Sequence, residues 1–299
     1  MIVILGATGH IGRAITERLL ERGKIVRVVG RDDGRLAPLV QKGAVPFIGS
    51  IDDVAFLSRA FEGSTSAFTL IPPQPKAQDF RAFQRRTGVA IAAAIQSSGL
   101  KYVVNLSSQG AHLAQGTGPI VGLHDQEQRL NQLAGVHIVH LRPAFFMENL
   151  LMNIDLIRRQ GINGTPLKGD LKFPTIATRD IAFTAVEYLS STHFLENSIH
   201  DLLGQRDLTM KEITGILGRA IGKPDLPYVQ FPYEDSRRGL CAMGLSEDVA
   251  RLYIEMYHAF NNGLISSSTV RSAANTTPTR FEDFAQDFAR IYAQPSPAT

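Results

Sequence analysis

Ile2-Val3-Ile4-Leu5-Gly6-Ala7-Thr8-Gly9-His10-Ile11-Gly12 decides the fold. The apolar run Ile2 to Leu5 reads as a buried strand, and Arg13 to Arg22 has the spacing of an amphipathic helix. Between them, three glycines spaced three apart let the chain turn sharply, bring backbone close to an anion and seat the helix on the strand. The helix then offers its unpaired N–H groups and the positive end of its dipole to whatever lies in the turn. A bare strand-to-helix turn has the same spacing, so the context decides.

The context to look for is a residue that reads a ribose, about 20 positions further on, at the end of a second strand. Ile25 to Val29 is that strand, and it ends at Gly30-Arg31. An Asp or Glu in this place holds the 2′-hydroxyl of NAD, whereas the guanidinium fork of Arg31 suits a 2′-phosphate. NADP is therefore preferred to NAD, although Asp32 and Asp33 follow directly and keep a hydroxyl-binding alternative open.

The strand and helix signals continue to alternate. Leu36 to Lys42 reads as a helix, Val45 to Ile48 as a third strand and Val54 to Phe61 as a helix. Ahead of that helix, Ser50 or Asp52 serves either as its N-cap or as a polar group beside an adenine. Ala67 to Ile71 is a fourth strand, stopped by Pro72-Pro73. Phe80 to Gln96 is a long helix with Phe80, Phe83, Val89 and Ile91 as buried candidates, and Gly99 ends it. Tyr102 to Leu106 is a fifth strand ending in Ser107-Ser108, His124 to Leu133 a helix, and Val136 to Leu141 a sixth strand ending in Arg142-Pro143. Between Ser108 and that helix, the loop Gln109 to Gly122 carries four glycines without periodicity, as the rim of a site does.

Six strands alternating with helices specify an α/β protein with a doubly wound parallel sheet, the Rossmann arrangement, in which ligands bind beyond the carboxyl ends of the strands. Arg31, Ile71 with Pro72, Ser107 and Pro143 all fall at such ends. Residues 1–150 form the dinucleotide-binding domain. From 151 to 299 the alternation weakens into a smaller α+β substrate region, a lid over the cleft, with the chain free to return to the sheet. Lys172 to Ile176 and Ser198 to Leu202 read there as short strands and Arg179 to Leu189 as a helix. Thr209 to Glu212 is a capping box opening a helix to Ile221, Ser246 to Phe260 is helical, and a last helix opens at Thr279 with Phe281, Phe284, Phe288 and Ile291 on one face. A short tail runs from Pro295 to Thr299.

Composition narrows the function class. The chain has 299 residues, 44% hydrophobic and 20% charged, with a net charge of +3, as an ordinary globular protein has. Arg85-Arg86, Arg158-Arg159 and Arg237-Arg238 read as solvated helix faces, so nucleic-acid contact is not expected. The single Cys241 excludes an internal disulfide and is read as a buried thiol. No apolar run is long enough to span a bilayer and no leader precedes the first strand, so a cytoplasmic protein is expected. The eight histidines do not group with carboxylates at metal-ligand spacing; His137 and His140, three apart on a strand, face opposite ways.

GATGHIG at the start, NLSS after the fifth strand, HLRPAFFMENL from His140 to Leu150 and TRDIAFTAVEYL from Thr178 resemble the NmrA-like branch of the atypical short-chain dehydrogenases/reductases. The resemblance implies NADP across the strand ends, in a family that holds both reductases of quinones and dyes and redox sensors without evident turnover. It also implies that Gly6, Thr8, Gly9, His10 and Ile11 line the pyrophosphate, with Gly12 seating the helix, and that Arg31 meets the 2′-phosphate. By the same resemblance Ser107 lies near the nicotinamide ribose, and Pro143, Phe145 and Phe146 border the nicotinamide and substrate. His124 stands where many relatives carry an active-site Lys, and Gln128 where they often carry Glu. His124 is a helix residue facing solvent or a group that assists at the site, with Ser107, when protonated.

None of the seven tyrosines has a Lys four residues later, the pair by which ordinary short-chain dehydrogenases protonate an alkoxide. A site without that acid favours acceptors whose reduced form is a weak base, such as quinones and delocalised dyes, and argues against sugar-nucleotide epimerisation. Two readings follow. One is an NADPH-dependent oxidoreductase of small conjugated acceptors. The other is an NADP-sensing binding protein acting through a protein partner. A homodimer is open in both.

Overall fold

Val3 and Leu5 point to one side of the first strand and Ile2 and Ile4 to the other, and all four are buried. A strand of that kind needs cover on both faces, which is what alternating helices supply. In the computed structural model, which describes residues 1–295, they do so. The remainder of the tail that the sequence singles out lies outside the described residues.

The chain runs β1 (Ile2–Leu5), α1 (His10–Glu21), β2 (Val26–Gly30), α2 (Asp33–Val40), β3 (Val45–Ile48), α3 (Val54–Phe61), β4 (Ser66–Thr69), α4 (Phe80–Ser98), β5 (Tyr102–Leu106), α5 (Val121–Asn131) and β6 (His137–Pro143). It continues as β7 (Phe145–Phe146), α6 (Ile154–Gln160), β8 (Asn163–Thr165), β9 (Phe173–Ile176), α7 (Thr178–Ser191), β10 (Ser198–Leu202) and β11 (Asp207–Leu208). The last elements are α8 (Met210–Ala220), β12 (Tyr228–Gln230), α9 (Tyr233–Ala242), α10 (Glu247–Asn261) and α11 (Phe281–Ala293).

Seven parallel strands form the main sheet in the order β3-β2-β1-β4-β5-β6-β10. The order reverses between β1 and β4, and a crevice opens beyond the carboxyl ends of strands at such a switch. Ile11, Ile15 and Leu19 of α1 pack with Ile181, Ala185 and Val186 of α7 on one face. On the other, Leu57 and Phe61 of α3 pack with Ile91 and Ile95 of α4. The second half of the chain thus returns to the sheet twice, through α7 and through β10, the short strand expected at Ser198 to Leu202.

The rest of that half has its own core, where Met147, Ile157, Phe173, Met210, Leu217, Phe260, Phe281 and Phe288 are buried together. The capping box at Thr209 and Glu212 is present, each side chain meeting the other's backbone N–H. Glu148, in the Met-Glu-Asn stretch, accepts from the N–H and hydroxyl of Thr178 and so caps α7, which has no capping side chain of its own. Asp180, two residues on in the first turn, is buried and accepts from the N–H and hydroxyl of Thr279.

Several expectations are corrected. α3 is capped by Asp53, not by Ser50 or Asp52. α11 begins after Arg280, because Thr279 is held by Asp180 instead of opening the helix, and Ile291 lies exposed off its buried stripe. Val89 of α4 is exposed, pointing away from the buried Phe80 and Ile91. Cys241 is only half-buried, with its thiol against Glu247. Arg158 is not a solvated face, since its guanidinium donates to the carbonyls of Tyr292 and Gln294. The short strands β7, β8, β11 and β12 and the helices α6 and α9 give too little periodicity to be read. Among the described residues no helix is long and apolar enough to cross a membrane, and no group of His, Cys, Asp and Glu is arranged to hold a metal.

Gly12 tests how tightly helix and turn are fitted. A Cβ there would collide with the carbonyl of Gly6 and the Cα of Ala7, both backbone atoms that cannot swing aside. Gly12→Ala is expected to cost roughly 1–3 kcal/mol of stability, read as a lowered urea midpoint with an unchanged slope.

Candidate functional site

The glycine turn is as tight as its spacing implies. Gly6 sits at φ 66°, in the left-handed region that favours glycine, and its carbonyl accepts from the N–H of Gly9 at 3.0 Å. α1 starts at His10 with Gly9 as N-cap and no capping side chain. Its first backbone bond is Arg13 N–H to Gly9 O at 2.9 Å, so the N–H groups of His10, Ile11 and Gly12 precede the helical ladder. Gly9 and His10 are exposed, and a Cβ on Gly9 would meet only the Gly6 carbonyl, at 3.4 Å. An uncapped helix start, open on its outer side and lying at the switch point, fits a diphosphate.

At the end of β2, Arg31 is exposed, and among the described residues no hydrogen bond or ion pair holds its side chain. Asp32 beside it is engaged, its carboxylate accepting from Arg35 N–H as the cap of α2. Asp52 accepts from the Ser50 hydroxyl, so both stay polar and accessible beyond β3. Ile71 is buried and Pro72 half-buried just past β4, and Leu70 packs against Gly6 across the switch.

On the other side of the switch the decisive group is one that sequence reasoning did not single out. Glu127 of α5 is 1% exposed. Its Oε1 accepts from Arg142 Nε at 2.9 Å and its Oε2 from Arg142 Nη2 at 2.5 Å, a two-pronged pair with an Arg that is itself buried. Oε1 also accepts the Ser107 hydroxyl, at 2.5 Å. Ser107 and Arg142 stand at the ends of β5 and β6, so one carboxylate ties the helix to both. Ser107 therefore reaches the strand end as expected, but its proton is already given to Glu127, and its oxygen is left only to accept. The buried carboxylate lies at 127, and Gln128 faces solvent. A Glu on the buried stripe of a helix, with an Arg ending the adjacent strand, is the signal that could have found the pair.

α5 is fastened a second time through His140. Thr69 donates to Asn105 Oδ1 at 3.1 Å, Asn105 Nδ2 donates to His140 Nδ1 at 3.2 Å, and His140 Nε2 donates to Asn131 Oδ1 at 3.0 Å. The Asn105 bond requires a neutral His140, whose Nδ1 must accept. Burial pulls its pKa down to about 4, and Arg142 adds to that while Glu127 opposes it.

His124 lies three residues before Glu127 on the same helix. A 3-10 turn at Gly118–Ile120 brings the loop into α5 earlier than expected, so His124 sits inside the helix and not at its start. It is half-buried, and its Nδ1–H donates to Ala111 O at 2.9 Å, which fixes the ring and leaves Nε2 for a proton or a ligand. Pro143 is buried, and Phe145 and Phe146 of β7 are half-buried just beyond it. The Phe145 ring meets Phe173 edge-on at 5.5 Å and Phe260 at 6.5 Å.

Known proteins resemble the chain over most of its length. The model of the NmrA-like family matches residues 1–285. NAD(P)H azoreductase of Xenophilus azovorans is 30% identical over 260 residues, 86% of each chain. Quinone oxidoreductase 2 of Escherichia coli is 25% identical over 286 residues, 93% of this chain and 95% of that one. In structure, the triphenylmethane reductase of Citrobacter sp., solved with NADP(H), superposes with a TM-score of 0.80 at 18% identity, covering 97% of this chain and 100% of that one.

Removing the Glu127 carboxylate leaves Arg142 buried without a counter-charge. Glu127→Ala is expected to cost about 3–5 kcal/mol, whereas Ser107→Ala costs about 1 kcal/mol, both by urea unfolding. A second prediction concerns pH. The unfolded chain protonates His140 near 6.5 and the folded one only near 4, so unfolding takes up a proton between these values and stability falls as pH drops through that window. The loss reaches about 3 kcal/mol, and His140→Gln is expected to flatten the profile.

Proposed function

The chain belongs to the NmrA-like family, and from that premise we propose that it is an NADPH-dependent oxidoreductase that delivers hydride to a small conjugated acceptor, a quinone or a dye. The observation that carries the reading is the uncapped start of α1 over the glycine turn, with an unengaged Arg31 at the end of the neighbouring strand. The relatives named for azo and quinone reduction support the same chemistry.

In this reading the N–H groups of Gly9 to Gly12, with Thr8 beside them, hold the pyrophosphate, and Arg31 takes the 2′-phosphate. Asp32 caps α2 and is thereby withdrawn from a 2′-hydroxyl, which favours NADPH over NADH. Asp52 borders the adenine side, and Ile71 with Pro72 closes the crevice. When bound, the nicotinamide supplies a hydride. Pro143 and Phe145 form its apolar wall, Ser107 accepts from a ribose hydroxyl, and residues beyond 150 complete the acceptor side.

The acceptor gains a hydride at one atom and a proton at another. His124 Nε2 is the group at this end of α5 able to hold that proton, and Ser107 is not, because its own is committed to Glu127. A reduced quinone is a far weaker base than an alkoxide, so solvent with His124 suffices where a Tyr-Lys pair is missing.

The test is a titration with NADPH and NADH of the protein and of Arg31→Ala, then a quinone and dye panel followed by nicotinamide absorbance. Arg31→Ala is expected to weaken NADPH about tenfold, the worth of a charge-assisted contact, and to leave NADH nearly unchanged. Turnover of quinones supports the reductase. Tight NADPH binding with no turnover across the panel overturns it in favour of a cofactor-sensing protein that acts through a partner.

A further inference from the structure

Next to Ser107 the chain enters a cleft of about 270 Å³ between the end of β5, β9 and residues 263–271. Gln109 lines it at one end, and its backbone N–H is fixed to Pro143 O at 3.0 Å, so the cleft begins where β5 and β6 stop. Phe173 and Phe260 form its wall, and both rings pack on Phe145, which makes the cleft continuous with the apolar patch beyond Pro143. The wall is therefore apolar and in part aromatic, which suits a flat conjugated ring.

Two polar features of the cleft are unspent. Gln109 is 4% exposed, yet its Oε1 has no hydrogen-bond partner. A buried amide oxygen left unpaired is unfavourable, and a ligand's polar group can relieve it. The second feature is charge. Of the charged residues lining the cleft, Arg271 and Asp207 pair with each other, and Arg271 also donates to the carbonyls of Leu203 and Gly204. Lys172 is exposed and has no hydrogen bond or ion pair among the described residues. Its electrostatic neighbour, Glu212, is bound into the capping box of α8. The rim thus keeps one positive charge with no hydrogen-bonded counter-ion among the described residues.

We propose that this cleft seats the acceptor and selects one- or two-ring conjugated acceptors bearing an anionic substituent, a carboxylate or a sulfonate. Lys172 receives the anion and the Gln109 amide meets the acceptor's polar atom. The volume lies at the small end for ligand pockets, which sets the limit of one or two rings. The inference rests on the reductase reading for the word acceptor, but the cleft and its charge stand apart from turnover.

The experiment separates the two. Protein saturated with NADP⁺ is titrated with 2-naphthalenesulfonate and with uncharged 2-naphthol, neither of which accepts hydride. Turnover is then measured with 1,2-naphthoquinone-4-sulfonate and with 1,2-naphthoquinone. The sulfonates are expected to be favoured about tenfold in binding and in kcat/KM, less at high salt, and Lys172→Glu is expected to bring both ratios to one or below. Lys172 is exposed, so the variant folds. Gln109→Leu is expected to lower kcat/KM for both quinones about tenfold while keeping the sulfonate preference. Equal binding of the two naphthalenes, or a preference that survives Lys172→Glu, overturns the inference. A sulfonate preference in binding that Lys172→Glu removes, with neither quinone turned over, upholds the cleft assignment and overturns only the reductase reading.

Discussion

The carboxylate of Glu127 is the constraint on which the acceptor half of the site depends. A charge with 1% of its residue exposed is tolerable only because Arg142 meets it with two prongs and Ser107 adds a third hydrogen bond. The three donors and acceptors come from α5, β5 and β6, so the pair converts a long-range packing problem into fixed geometry. α5 cannot slide without breaking it. Gly122 and Gly88 make the same demand from the opposite side, since any Cβ there would run into the amides of Gln84 and Gln126 as α4 and α5 press together. His124 inherits its place from this clamp, one turn earlier on the same helix, and the Ala111 carbonyl then settles its ring.

Legibility in the sequence divides along the same line. The cofactor half is built from consecutive residues: β1, the glycine turn and α1 are one stretch, and Arg31 follows the next strand directly. Their spacing states their geometry, so β1 is read to the residue, β2 to within one and the start of α1 to within three. Tyr102–Leu106 and Ser198–Leu202 were likewise bounded by alternation and turn residues alone. What the alternation could not say is that the latter joins β6 as the seventh strand, because a parallel pairing across more than fifty residues leaves no local mark.

The acceptor half was scarcely legible for the converse reason. Gln109, Phe173, Phe260 and Arg271 meet in one cleft from four separate segments, and none is patterned as a site in its own stretch. Phe173 and Phe260 look like core, and by burial they are core. The resemblance points to 128 for a carboxylate, whereas the buried one is Glu127, and sequence spacing alone does not say which stripe of α5 is buried. The Met-Glu-Asn stretch was noticed only as a resemblance. Its Glu148 turns out to cap α7, an architectural duty that explains the residue without recourse to the ligand.

That separation of duties bears on how the site handles protons. Ser107 already donates its hydroxyl hydrogen to Glu127, and His140 Nδ1 accepts from the Asn105 amide, a bond that protonation of the ring would break. Neither can act as an acid without loosening α5. Of the three, His124 combines a fixed ring with a nitrogen that no side chain of the described residues occupies. In the proposed reading, a site so arranged orients a flat molecule and donates protons sparingly, which is the balance required by an acceptor that spreads added charge over a conjugated system.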